Sequence, residues 1–122
     1  MKVFIIRADI CDYDGCSTTL VKGFKTEGLA QTFCDFMNLS IQHVHEIINT
    51  IKDKYDEAIK SISGRDLDLL SEEIKIFYKK RMELSKEYGE LIKQVEDRFT
   101  SHFGIKFDKD LSFNYEEMEL ED

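Results

Sequence analysis

The fold is decided by residues 26 to 62, which read TEGLAQTFCDFMNLSIQHVHEIINTIKDKYDEAIKSI. Apolar side chains recur along this stretch in alternating steps of four and three, the repeat of a helix that buries one stripe against a partner helix. Thr26 precedes the first turn and Glu27 lies within it, where an oxygen acceptor and a negative charge stabilise exposed amide groups. We predict a first helix over residues 26–63 with an apolar seam at Ala30, Cys34, Met37, Ile41, Val44, Ile48, Ile51, Tyr55, Ala58 and Ile62.

A second helix follows after a short break. Ser63 and Gly64 end the first run, because glycine suits a left-handed helix cap, and Asp66 or Ser71 can cap the next helix. Gly89 lies inside this second helix and marks either a close approach or bend, or a tolerated surface position. We predict the helix over residues 66–103, antiparallel to the first, with a seam at Leu67, Leu70, Ile74, Phe77, Arg81, Leu84, Tyr88, Leu91 and Val95 that drifts toward Phe99 and Phe103.

The residues before the helices predict a β-hairpin over residues 1–25. Lys2 to Ile10 is rich in β-branched and aromatic residues and is apolar on both faces at its start, as in a central strand covered on two sides. Asp12 to Gly15 supplies turn chemistry, and Ser17 to Lys25 then returns as a second strand.

The residues after the helices complete the predicted sheet. Gly104 ends the second helix, and apolar residues then keep a period of two, so residues 104–116 form one long strand or a second hairpin. Residues 117–122 form an acidic tail, which we expect to be solvated. The predicted fold is a single α+β domain of order ββααβ, in which a small antiparallel sheet accompanies a long antiparallel helical hairpin.

The composition limits the classes of protein to consider. The chain has 122 residues, of which 34% are charged and 42% hydrophobic, as in a folded soluble domain. The apolar run from Val3 to Ile6 is far shorter than the roughly 20 residues of a membrane span. The odd number of cysteines, Cys11, Cys16 and Cys34, leads us to expect free thiols in a reducing compartment, the cytoplasm.

The charge argues against one class of partner. The chain has 25 acidic and 17 basic residues and a formal net charge of -8. Binding to nucleic-acid phosphates needs a cationic surface, so we do not expect direct nucleic-acid binding.

No motif points to catalysis. His43 and His45 are two apart on a helix and point in different directions, so they cannot bind one metal ion from one face. Asp12 and Asp14 fit a turn better than a calcium loop, because the later acceptors of such a loop are missing. We therefore expect a protein that is not an enzyme and uses no metal or cofactor.

Two features of the helices are candidates for binding. Arg81 occupies a seam position, where it either pairs with Glu46, Asp53 or an anionic ligand or extends its charged end to solvent. Lys79, Lys80 and Arg81 form the one tight basic run, which fits either a phosphate or acidic partner or a solvated face.

The first helix also carries a second apolar set beside its seam. This set is larger than one partner helix can cover, which favours a homodimer or a higher homo-oligomer. Its members are Leu29, Phe33, Phe36, Ile47 and Ile59.

The N-terminal region resembles small bacteriophage accessory proteins. The resemblance lies in Lys2 to Ile6, Tyr13-Asp14-Gly15, Gly23 to Ala30 and Phe33, the strand-turn-strand-helix opening of such proteins. It implies a protein that acts on host machinery in the host cell cytoplasm, where inhibitors of bacterial defence systems are a frequent class. It assigns no functional residue.

Three functions follow as hypotheses. The leading one is a non-catalytic inhibitor or adaptor that binds a host protein through its helices or its acidic surface. The second is a sponge that sequesters a cyclic nucleotide signal, for which Arg7, Lys22, Lys25 or Arg81 would have to converge on the ligand phosphates. The third is a structural coiled-coil assembly module.

Overall fold

The computed structural model describes residues 1–63 and 72–121 and confirms the α+β fold with the order ββααβ. Several predicted cap and seam residues lie outside the described residues: Gly64, Asp66, Leu67, Leu70 and Ser71. The elements are β1 (Lys2–Asp12), β2 (Gly15–Phe24), α1 (Glu27–Ser63), α2 (Glu72–Phe103) and β3 (Leu111–Glu119).

The contacts within the chain divide it into two compact units, and the single domain stays a prediction. The sheet unit comprises Met1–His45 and Phe107–Asp122, and the hairpin unit comprises Glu46–Lys106. Helix α1 contributes its first part to the sheet unit and its second part to the hairpin unit.

The sheet unit contains an antiparallel sheet in the strand order β2-β1-β3, which confirms β1 as the central strand. Asp12 lies opposite Gly15 at the hairpin end. The backbone N–H of Asp14 donates to Oδ1 of Asp12 at 2.8 Å, and Gly15 has a φ of 127°, which favours glycine. The predicted turn is therefore confirmed.

Helix α1 covers one face of this sheet. Ile6 and Ala8 of β1 are buried on that face, and Phe113, opposite Ala8 on β3, is buried as well. Phe33 of α1 contacts Phe113 and Phe24, with ring centroids 6.4 and 5.5 Å apart. The residues on the other face of β1 are only half-buried: Val3, Ile5, Arg7 and Asp9. We predicted that β1 is covered on both faces, and the structure covers it on one.

The start of α1 and its seam in the sheet unit agree with the prediction. The N–H of Leu29 donates to Oγ1 of Thr26 at 3.3 Å, which confirms the helix cap. The seam residues Ala30, Cys34, Met37, Ile41 and Val44 are all buried.

Asn38 of α1 covers part of the outer edge of β3. Its Nδ2 donates to the carbonyl oxygen of Phe113 at 3.0 Å, and its Oδ1 accepts from the N–H of Phe113 at 2.9 Å. The side-chain amide thus pairs with the Phe113 backbone as a neighbouring strand would.

The C-terminal segment forms one strand rather than a hairpin. Before it, the N–H groups of Asp110 and Leu111 donate to Oδ1 and to the carbonyl oxygen of Asp108, respectively. The strand continues through Glu119, so residues 117–119 of the predicted tail belong to β3, although they are exposed as expected. Within this strand the negative charge of Glu117 is paired with Lys2, whose Nζ lies 2.9 Å from Oε1 of Glu117.

The hairpin unit pairs the two helices antiparallel, as predicted. Tyr55 contacts Tyr88 with ring centroids 5.7 Å apart. Ala58, later in α1, lines a hollow with Leu84, earlier in α2. The buried side chains of this unit, among the described residues, are Ile48 and Phe99.

The seam of α2 departs from the prediction at two positions. Arg81 is exposed, and Leu91 is 40% exposed, whereas the neighbouring Ile92 is half-buried. A straight α-helix has 3.6 residues per turn, so a strict seventh-residue repeat drifts off the facing helix, and Ile92 replaces Leu91. Gly104 follows α2 with a φ of 70°, which confirms the predicted cap.

Candidate interaction surfaces

The hairpin turn of the sheet carries a disulfide between Cys11 and Cys16, so our expectation of free thiols is wrong for these two residues. They lie opposite each other on β1 and β2 with Cα atoms 4.0 Å apart, which places both side chains on one face. Cys34 is a free, buried cysteine, and burial raises the pKa of its thiol. Because two of the three cysteines are oxidised, the cysteines no longer indicate a reducing compartment.

Arg7 lies in a polar cluster on the sheet face that α1 does not cover. Its guanidinium lies 3.9 Å from Asp9 and 3.5 Å from Glu116. Asp9 also accepts hydrogen bonds from Thr18 at 2.7 Å and from Asn114 at 3.2 Å. These contacts lower the pKa of Asp9, chiefly through the Thr18 bond, against the opposing effect of partial burial.

Lys22 lies on the opposite face from Arg7. It pairs with Ile6 on β1, whose side chain is buried toward α1, whereas Arg7 pairs with Leu20. Nζ of Lys22 lies 5.1 Å from the centroid of the Phe24 ring. Lys25 is exposed just after β2. The sheet therefore does not bring Arg7 and Lys22 together around one phosphate.

The basic run of α2 lies on the surface of the hairpin unit. Lys79, Lys80 and Arg81 are all exposed. Arg81 therefore does not require a buried partner, and the structure agrees with the alternative in which its charged end reaches solvent.

The predicted self-association set divides into inner and outer members. Phe33, Ile47 and Ile59 are half-buried, and Phe33 packs between Phe24 and Phe113. Phe36 is 57% exposed. Of the five residues in this set, Leu29, which is 56% exposed, and Phe36 are thus the two that offer a large apolar surface.

Phe36 belongs to a continuous stripe on α1, which we call the α1 face: Leu29, Thr32, Phe36, Leu39 and His43. These residues recur at spacings of three and four and are all exposed, with Leu29 at 56% and Leu39 at 65%. We did not assign Leu39 to this surface from the sequence, although its position three residues after Phe36 indicates it.

The α1 face also lies in a part of the chain with few charges. Asp35 is the single Asp, Glu, Lys or Arg residue between Glu27 and Glu46, although such residues make up 34% of the whole chain. The cores of protein interfaces are depleted in charge and enriched in aromatic side chains. The α1 face therefore has the composition of a protein-binding surface.

The described residues line several shallow hollows. In the hairpin unit a hollow of about 160 Å³ lies over Tyr55, Tyr88 and Gly89. A hollow of about 270 Å³ lies at the β-hairpin turn beside Asp12, Asp14 and Cys16. No group of three or more His, Cys, Asp or Glu side chains within residues 1–63 and 72–121 is arranged to hold a metal ion.

No family model, curated protein sequence or solved structure matches this chain. In the part of the chain that the structure describes, neither helix has an apolar stretch long enough to cross a membrane.

Proposed function

We propose that this protein is a non-catalytic inhibitor or adaptor whose α1 face binds an apolar surface of another protein. The observation that supports this proposal is the exposure of Leu29, Phe36 and Leu39 together in a nearly uncharged stretch of helix. Clustered apolar side chains on a solvent-exposed surface mark sites of association, because covering them removes apolar area from water.

The chemistry of the α1 face indicates what kind of surface the partner presents. Its apolar residues are accompanied by the neutral polar Thr32 and His43, so the complementary surface is an apolar groove or helix with few charges. The resemblance of the N-terminal region to bacteriophage accessory proteins supports a bacterial host protein as the partner. A component of a bacterial defence system is the partner class that we favour.

The alternative functions have less support. A cyclic nucleotide sponge needs basic side chains that converge, and Arg7 and Lys22 lie on opposite faces of the sheet. Arg7 is also paired with Asp9 and Glu116. A structural assembly module would use the same α1 face for copies of this chain.

A charge introduced into the α1 face tests the proposal. The tagged protein is used to capture partners from a bacterial lysate, and the partner is then purified and titrated by calorimetry. We expect Phe36→Glu and Leu39→Glu each to weaken binding by about 30-fold or more, the scale of an interface hot spot.

Met82→Glu is the matched control. Met82 is 72% exposed on α2 among charged neighbours, and its substitution introduces the same charge on an apolar residue that is at least as exposed as Phe36 and Leu39. Circular dichroism checks that all variants fold. Undiminished binding of Phe36→Glu and Leu39→Glu, or failure to recover any partner over varied salt, would contradict the proposal.

A further inference from the structure

Strand β2 is an edge strand whose outward backbone groups can be identified from the opposite side of the sheet. Asn38 holds the N–H and C=O of Phe113, so these groups face away from β1. In an antiparallel pair, residues opposite each other either exchange both hydrogen bonds or turn both pairs of groups away. Ala8, which lies opposite Phe113, therefore turns its groups toward Thr19 of β2.

This alternation fixes the open side of β2. Because the backbone N–H and C=O of Thr19 point toward β1, those of its neighbours Thr18 and Leu20 point to the free edge. The backbone groups of Cys16 point the same way. The register between β1 and β2 is regular over these residues, and its irregularity lies beyond Leu20. Within the described residues, these three backbone pairs have no hydrogen-bond partner on their outer side.

From Gly15 to Leu20 this edge lacks the features by which proteins usually block strand addition, and the register irregularity of β2 lies after Leu20. Natural edge strands carry charges, proline or bulges, or are covered by another element. From Gly15 to Val21, β2 has neither a charge nor a proline, and it is exposed from Gly15 to Leu20. The edge of β3 is different, because Asn38 occupies it at Phe113 and three glutamates lie in the strand.

We propose that β2 pairs antiparallel with β2 of a second copy of this chain, about a two-fold axis at Thr18, to form one continuous sheet across the dimer. In this register Thr18 lies opposite Thr18, and Cys16 lies opposite Leu20. All three residues present their backbone groups to the open edge, so each opposing pair exchanges two hydrogen bonds.

The side chains of this register are complementary to each other. Leu20, which is 63% exposed, gains an apolar neighbour in the Cys11–Cys16 disulfide of the other copy. Lys22 lies outside the paired segment, because the register irregularity at Val21 turns it to the opposite face from Leu20.

Sedimentation velocity of the full chain, from micromolar to millimolar concentration, tests the proposal. We expect a concentration-dependent dimer in the native protein and a monomer for Thr18→Lys, which places two like charges opposite each other on the axis. Ser112→Lys, on the exposed side of the other edge strand, is the control and keeps the dimer. A native protein that stays monomeric to millimolar concentration would overturn the proposal.

A second variant remains informative if Thr18→Lys disturbs folding through the loss of the hydrogen bond from Thr18 to Asp9. Leu20→Ser should raise the dimer dissociation constant, because it removes the apolar contact with the disulfide of the other copy. A dimer that neither change affects, but that Phe36→Glu dissociates, would place self-association on the α1 face instead.

Discussion

At the scale of single residues, polar side chains connect elements that are distant in the sequence. Asn38 and Phe113 are 75 residues apart, and Asp9 and Asn114 are 105 apart. In both cases an amide side chain completes hydrogen bonds at the surface of the sheet unit. Substitutions of Asn38 and Asp9 measure what these contacts contribute to the free energy of unfolding.

The first concerns Asn38. Asn38→Ala removes both hydrogen bonds to the Phe113 backbone, so we expect a loss of about 1–3 kcal/mol in the free energy of unfolding, measured by urea denaturation. Asn49→Ala is the matched control, because Asn49 is an exposed residue of the same helix and its replacement changes helix propensity alone. Equal stability of the two variants would show that the paired hydrogen bonds contribute nothing.

The second concerns Asp9. Its pKa in the folded protein is lowered, mainly by the hydrogen bond from Thr18 and further by Asn114 and the charge of Arg7. A lowered pKa gives stability that is present above the unfolded-state value of about 4 and is lost as the pH falls through the folded-state pKa. We expect the stability advantage of the native protein over Asp9→Asn to shrink below about pH 4.

Urea denaturation of the native protein and Asp9→Asn over a series of pH values measures this difference. A difference that stays constant from neutral to strongly acidic pH would contradict the assignment of the lowered pKa to Asp9.

At the scale of elements, the effect of a glycine depends on its position in the helix. Gly89 lies inside α2, and Gly104 directly follows its last residue. A Cβ atom added at Gly89 meets nothing within 4 Å, so the interpretation of Gly89 as a close approach is wrong and the surface interpretation is favoured. Gly104 has a φ of 70°, a conformation that disfavours any other side chain.

The same substitution should therefore have opposite effects at these two positions. We expect Gly89→Ala to stabilise the protein by about 1 kcal/mol, because alanine loses less backbone entropy in a helix. Gly104→Ala should destabilise it by about 1–2 kcal/mol through the left-handed backbone. Thermal and urea unfolding measure both, and a stabilising Gly104→Ala would contradict the assigned cap.

The β-hairpin should contain an oxidised cysteine pair. In denaturant without reductant, we expect one reactive thiol per chain, that of Cys34, and three after reduction. Thiol titration with mass spectrometry counts them. Reduction should destabilise the native protein by about 2 kcal/mol, because opening this short loop restores chain entropy to the unfolded state.

The variant with Cys11→Ser and Cys16→Ser is the control for the effect of reductant on stability. Its unfolding should not change on reduction. Three reactive thiols in the unreduced native protein would contradict the disulfide.

At the scale of the whole molecule, the net charge of -8 and the uncharged α1 face make different predictions about partner binding. Salt screens charges and leaves apolar burial intact or strengthened. If the α1 face makes the main contact, affinity should change little between low salt and about 1 M NaCl, where the Debye length is ~3 Å. Calorimetry at several salt concentrations measures this, and a steep loss of affinity would place the contact on the acidic surface.

The sequence by itself determined the elements and their pairing direction. Helix seams, caps and turns depend on residues close together in the chain, so the cap at Thr26, the turn at Asp12 and the cap at Gly104 could all be predicted. The alternating apolar residues around Phe113 likewise predicted a strand. The Cys11–Cys16 pair was also within reach, because a hairpin that closes with Asp12 opposite Gly15 must place Cys11 opposite Cys16.

The tertiary structure alone decided which surfaces remain open. Whether Phe36 and Leu39 are exposed while Phe33 is half-buried depends on where α1 crosses the sheet, and this packing is not encoded in helical periodicity. The contrast between the two sheet edges also depends on Asn38 reaching a strand far along the chain. Burial and edge pairing are set by long-range contacts, which local sequence patterns do not specify.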